Sequence, residues 1–229
     1  MRLDYQSRKY AFLNRGIEVE RHFRRVHEFL QPRPADRILD VGCGRGFLTR
    51  RVRELAPTTI GIDVNREAIS NAVVGGLRVM DATQLAFPDA SFDKVYSFHV
   101  IEHIQNIGRA FAEIDRVLKP GGRVLLVYPA EPIRGLYVVP TAIRVFRNPL
   151  RARDLHVHKL SPRRLDRYLA GTSLRAERSA LHFLITPQFI TVLRKDVVMG
   201  DFSGRRRLGI VDACHARRDR LDSSQPCFP

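Results

Sequence analysis

Arg37-Ile38-Leu39-Asp40-Val41-Gly42-Cys43-Gly44-Arg45-Gly46-Phe47-Leu48-Thr49 begins with an apolar run, Ile38, Leu39 and Val41, that reads as a buried strand, and then bends through a glycine-rich turn. Leu48, Val52 and Leu55 follow at helical spacing, so the unit is strand, turn, helix. Glycines at 42, 44 and 46 permit backbone conformations closed to residues with a Cβ and let a ligand approach closely. The start of the helix adds unpaired N–H groups. A nucleotide-like ligand suits such a turn. The Gly-x-Gly-x-Gly pattern alone does not choose the ligand, because dinucleotide-binding folds seat a pyrophosphate on a near relative of it.

The neighbouring residues choose. The acidic residue, Asp40, precedes the glycines, and Phe47 stands where the dinucleotide fingerprint needs its third glycine. The segment closely resembles the first motif of class I S-adenosylmethionine (SAM)-dependent methyltransferases, of the broad methyltransferase-11-like group that modifies small molecules. The match continues in order from about Ile38 to Tyr128. The resemblance implies a Rossmann-like, seven-stranded, mostly parallel α/β sheet flanked by helices, with S-adenosyl-L-methionine as cofactor. It further implies that Asp40, Gly42, Cys43, Gly44 and Gly46 hold the amino-acid end of that cofactor.

Later motifs extend the site. Thr59-Ile60-Gly61-Ile62-Asp63 is an apolar strand ending in a carboxylate. An acidic group about twenty residues beyond a glycine turn is placed to accept ribose hydroxyls. The resemblance gives Asp63 that role, sets Val64 against the adenine, and leaves Asn65 as cap of the following helix. A short strand, Leu77 to Met80, leads to Asp81-Ala82, which in the family meets the adenine edge. Leu85 and Phe87 read as core, and Asp93 as a turn residue before the fourth strand, Lys94 to Phe98.

His99 is the first residue past that strand, at the carboxyl edge where open α/β sheets bind ligands. It is the expected contact to the sulfonium and a candidate catalytic residue. Some quinone-biosynthesis relatives bind a divalent metal through Glu-x-x-Glu-His here. In this chain His99 replaces the first glutamate, so Glu102-His103 reads as structural and no metal is expected. Phe111, Ile114, Val117 and Leu118 form a helical stripe stopped by Lys119-Pro120-Gly121-Gly122, and Arg123 to Tyr128 is the fifth strand.

Upstream, Val19, Phe23, Val26 and Leu30 mark one stripe of an amphipathic helix. In related methyltransferases a helix here packs beside the sheet, and Arg8-Lys9-Tyr10 resembles the tyrosine-bearing lead-in, which makes Tyr10 a cofactor contact. Downstream, Ala130 to Leu160 mixes apolar residues with arginines, as befits a lid over an apolar acceptor, a surface for anionic lipid, or a dock for a phosphate-bearing acceptor. His156-Val157-His158 puts two imidazoles on one side of an extended chain, and Ser161-Pro162 starts a helix with Leu165, Tyr168 and Leu169. Either histidine suits proton removal from an acceptor hydroxyl or amine; a structural pair fits the same residues. Leu174 to Leu181 and Phe189 to Arg194 suit the last two strands.

At 229 residues and 44% hydrophobic content the chain suits one domain with a sizeable core. Its expected parts are a lead-in and helix (1–35), a SAM-binding domain (36–198) with an acceptor insertion at about 130–160, and a basic, disordered tail (199–229). No apolar run spans a membrane and the start lacks a signal-peptide core, so a cytoplasmic monomer or homodimer is expected. Cys43, Cys214 and Cys227 have neither metal-like spacing nor an even count. The formal charge of +15 suits nucleic acid, but the basic residues are nearly all arginine, as a compositional bias would also give. The expected activity is methyl transfer to a small molecule, on oxygen or nitrogen, in quinone, lipid or secondary metabolism. RNA or protein methylation, and SAM binding without transfer, are the alternatives.

Overall fold

The computed structural model describes residues 18–130, 157–183 and 187–197. Tyr10, His156, the tail and nearly all of the expected acceptor insertion lie outside the described residues. Seven strands form one sheet: β1 (Ile38–Val41), β2 (Ile60–Asp63), β3 (Arg78–Val79), β4 (Phe92–Phe98), β5 (Leu118–Pro129), β6 (Leu174–His182) and β7 (Gln188–Lys195). Their order is β3-β2-β1-β4-β5-β7-β6. Neighbours from β3 to β5 are parallel, and β7 runs against both β5 and β6. The chain moves outward from β1 through β2 to β3 and then returns to β4 on the other side of β1. That reversal opens a crevice at the carboxyl ends of β1 and β4.

Both faces of the sheet are covered, which is why its central strands are apolar throughout rather than alternating. On one face Val26 and Leu30 of α1 (Val19–Leu30), with Val52 of α2 (Phe47–Val52) and Ala56, pack on Ile38, Tyr96, Leu125 and Val127. On the other, Phe111 and Ile114 of α4 (Ile107–Val117) and Leu165 and Leu169 of α5 (Pro162–Leu169) pack on Leu39, Val95, Val124 and Leu126. Leu85 and Phe87 are buried in this second core. After β2, α3 (Arg66–Ser70) is short and is capped by Asn65, whose Oδ1 accepts from the Ala68 N–H at 2.8 Å. Ser161 caps α5 in the same way, with Pro162 in the first turn.

Two elements depart from the sequence reading. Leu55 falls beyond α2, and the inward face of that helix is Thr49 and Val52, because Thr49 has a buried carboxylate to bond. β5 begins at Leu118 and runs through the expected stop, with a register shift against β4 and Gly121 at φ +76°. A Cβ on Gly122 would lie 2.8 Å from the Asp93 carbonyl oxygen, so glycine keeps the strands paired there. No helix among the described residues is long and apolar enough to cross a membrane.

Candidate functional site

The glycine turn is pinned to β2. The Ile62 carbonyl accepts the N–H groups of Gly42 (2.8 Å) and Cys43 (2.9 Å), while Gly44 N–H donates to Asp63 Oδ2 (2.8 Å). Asn65 N–H donates to Asp63 Oδ1, also at 2.8 Å. Burial raises the Asp63 carboxyl above the ordinary range, opposed by these backbone donors. A carboxylate has about four acceptor positions, so two bonds leave room for hydroxyls.

The three glycines serve different ends. A Cβ on Gly42 would lie 2.1 Å from Val100 Cγ2, and one on Gly46 would lie 2.5 Å from Leu77 Cδ1. At Gly44, with φ +53°, a Cβ would meet nothing within 4 Å. Gly42 and Gly46 therefore allow neighbouring chain to close in, whereas Gly44 faces open space beside the Asp63 carboxylate. Val64 next to it is 36% exposed, unusual for an apolar residue at a strand end, and Ala82 is buried beside the exposed Asp81. Asp81 Oδ1 accepts from both the N–H and the hydroxyl of Thr83 at 2.8 Å. An open flank, a carboxylate with spare acceptor positions and an exposed apolar side chain fit a cofactor made of ribose, adenine and a cationic tail.

Asp40 lies inside the fold. Its Oδ2 accepts from Thr49 Oγ1 (2.6 Å) and Tyr96 Oη (2.9 Å), and burial pushes the carboxyl up to about 7 despite those donors. It ties β1, α2 and β4 together at the base of the turn. Burial and the nearby Asp40 and Asp63 charges push the Cys43 thiol far up, so its sulfur is a packing group and not a nucleophile.

Past β4 the backbone is strained at a useful place. His99 has φ +56°, sparsely populated for a residue with a Cβ, and its N–H donates to the Val127 carbonyl at 2.8 Å. Its Nδ1 stands 3.7 Å from Oε1 of the buried Glu102, and His103 Nε2 stands 3.9 Å from the same oxygen. α1 joins this cluster through a contact that no local pattern of residues marks. His22 stacks on Phe98 with ring centroids 4.4 Å apart, and lies 6.1 Å from the His99 ring. Its Nε2 is 3.5 Å from Glu18 Oε2, a contact that holds Glu18 at about 2, while burial holds His22 below the usual imidazole range. Glu18 and His22 flank the apolar stripe of α1, and only their i, i+4 spacing pairs them in the sequence.

His158 is engaged on both ring nitrogens. Nε2 bonds the carbonyls of Ile104 (2.9 Å) and Gln105 (3.2 Å), and Nδ1 faces Tyr168 Oη at 3.2 Å. With the Glu102 carbonyl accepting the N–H groups of Val157 and His158 at 3.0 Å, this ring docks the returning chain onto the turn that follows His99. Among the described residues no group of three or more His, Cys, Asp or Glu is arranged to hold a metal ion.

Residues 39–126 match the family model of a methyltransferase domain. A demethylmenaquinone methyltransferase of Symbiobacterium thermophilum is 36% identical over 116 residues, 44% of this chain and 45% of that protein. A ubiquinone biosynthesis O-methyltransferase of Sinorhizobium medicae is 28% identical over 178 residues, 72% of this chain and 71% of its own length. The chain thus spans under half the length of the first of these relatives. A SAM-dependent methyltransferase structure from Methanosarcina mazei superimposes with a TM-score of 0.58 at 22% identity, over 75% of this chain and 97% of that one.

Proposed function

We propose that this chain, whose residues 39–126 form a domain of the class I SAM-dependent methyltransferase family, transfers a methyl group from SAM to oxygen or nitrogen of a small-molecule acceptor. The observation that carries the reading is the open flank of Gly44 beside the half-buried Asp63 carboxylate, at the carboxyl ends of β1 and β2. Asp63 would accept the ribose hydroxyls, Val64 would cover the adenine, and Asp81 and Ala82 would meet its polar edge. The glycine turn gives the backbone approach, and Asp40 braces that turn from within. The small-molecule class is supported by the relatives, one named for menaquinone and one for ubiquinone synthesis.

SAM, when bound, supplies a methyl carbon already activated by the sulfonium. The chain then has to hold an acceptor in line with that carbon, and positioning of this kind is worth up to about 7–11 kcal/mol. His99, fixed by its bond to Val127 and backed by Glu102, lies at the carboxyl edge of β4 and would take a proton where the acceptor must lose one. His158 keeps the turn after His99 in place.

Incubating the purified protein with methyl-labelled SAM and a fractionated cell extract tests the reading. Label in small metabolites is the expected result. Label in RNA or protein would make the +15 charge a substrate platform, and SAM binding with no labelled product would refute methyl transfer.

A further inference from the structure

Arg25 is the single lysine or arginine that is buried among the described residues, at 6% exposure. It lies on α1, one turn after His22. Its Nη1 donates to Oε1 of Gln188, itself buried, at 3.1 Å. No carboxylate of the described residues forms an ion pair with it, and Glu18 and Glu28 attract it only at longer range. A guanidinium carries five N–H donors, and one neutral amide uses one of them. Buried charges are kept where something pairs with them, because removing a cation from water is costly. Desolvation accordingly lowers its affinity for its proton.

The position is informative. Gln188 pairs with Pro129 at the carboxyl end of β5 and with His182 at the end of β6. His22 stacks on Phe98 at the carboxyl end of β4. The inward row of α1 therefore borders the carboxyl ends of β4 and β5 and the first residue of β7, across β4 from the glycine turn at the end of β1. With SAM seated on the glycine turn as proposed, in-line displacement would require the acceptor to approach the methyl from the side away from the sulfur. The stacked rings of His22 and Phe98 lie one turn of α1 before Arg25.

We infer that Arg25, oriented by Gln188, binds an oxyanion on the acceptor, a carboxylate or a phosphate carried by an apolar, ring-sized body. The inference rests on the methyltransferase reading and names its substrate class. The guanidinium fork matches either oxyanion through two parallel N–H bonds, which a neutral acceptor does not offer. The rival role is purely structural, with Arg25 serving to dock α1 on β7.

The test uses the full chain saturated with S-adenosylhomocysteine, titrated with benzoate, phenyl phosphate and the neutral benzamide, and read by thermal shift and by NMR. Benzoate, phenyl phosphate or both should bind at least tenfold tighter than benzamide. Arg25→Met should erase that preference, and Arg25→Lys should restore part of it. Which anion wins separates a carboxylate acceptor from a phosphate one. Gln188→Glu keeps the chain folded by giving Arg25 an internal counter-ion; it should raise the melting temperature and abolish anion binding, whereas a docking role predicts the first effect only. Equal affinity for all three probes, or an unchanged preference in Arg25→Met and Gln188→Glu, would overturn the inference. Calorimetry with SAM on the same samples separates the failures, since absent SAM binding sinks the methyltransferase reading and intact SAM binding without anion preference sinks this one alone.

Discussion

Asp63 is bonded to the glycine turn and is the proposed acceptor of the ribose hydroxyls, so replacing it tests both at once. Asp63→Ala removes the acceptor of the Gly44 and Asn65 N–H groups and the two positions left for ribose hydroxyls. A hydrogen bond to a charged acceptor contributes about 1.5–3 kcal/mol, so two ribose bonds total roughly 3–6 kcal/mol. Solvent reaches this half-buried carboxylate, which favours the lower end, about 3 kcal/mol or ~100-fold in Kd. Stability should fall as well, by about 2 kcal/mol for two donors partly open to water, or ~4–8 °C in melting temperature for a domain of this size. Asp63→Asn retains one acceptor oxygen and should lie between wild type and alanine on both scales. Isothermal calorimetry with SAM reads the affinity, and circular dichroism establishes that the variant is folded. A folded Asp63→Ala protein binding SAM within threefold of wild type would refute the site assignment.

Other perturbations separate the remaining roles. Gly42→Ala should cost about 2–4 kcal/mol in denaturant unfolding, because its Cβ would collide with Val100, and Val100→Ala in that background should recover part of the loss. Gly44→Ala should cost less stability but abolish most SAM binding, as its Cβ enters the open flank; the opposite ranking would show the roles reversed. Asp40 has a folded pKa of about 7, raised above its unfolded value, so the folded state binds the extra proton and stability falls as pH rises from about 4 to about 7. Asp40→Asn, which can still accept from Thr49 and Tyr96, should flatten that slope, as chemical denaturation at pH 5 and pH 8 would show. Glu18 acts with the opposite sign: its carboxyl is lowered to about 2, so its contribution is present above its ordinary value and is lost as pH falls toward 2. His99→Ala should leave SAM affinity within a few-fold while reducing transfer, whereas His158→Leu should cost about 1–2 kcal/mol of stability through its lost ring bonds; single-turnover labelling and unfolding curves distinguish the two.

Local signals made the cofactor half of the molecule readable. Ile38 to Gly46, Ile60 to Asp63 and Lys119 to Tyr128 each carry an apolar strand joined to a turn, and strand and turn chemistry are both written in adjacent residues. The caps Asn65 and Ser161 were legible for the same reason, since a cap bonds a backbone N–H only three residues away. The limits of α2 and β5 were less so. Thr49 turns inward because Asp40 waits there, and β5 starts early because Phe92 pairs with Leu118.

The sequence by itself, through the family its motif series resembles, determined the fold class and pointed to the carboxylate beside the glycine turn. Periodicity and turn residues act within one element or between neighbours, and those need no knowledge of the rest of the chain. The tertiary structure alone decided that Gly44 faces open space while Gly42 and Gly46 are packed, and that Asp40 is a buried brace. It also decided that α1 brings His22 to Phe98 and Arg25 to Gln188. Arg25 and Gln188 are 163 residues apart in the chain. Their meeting depends on how a helix lies across a finished sheet, and no local pattern of residues encodes that.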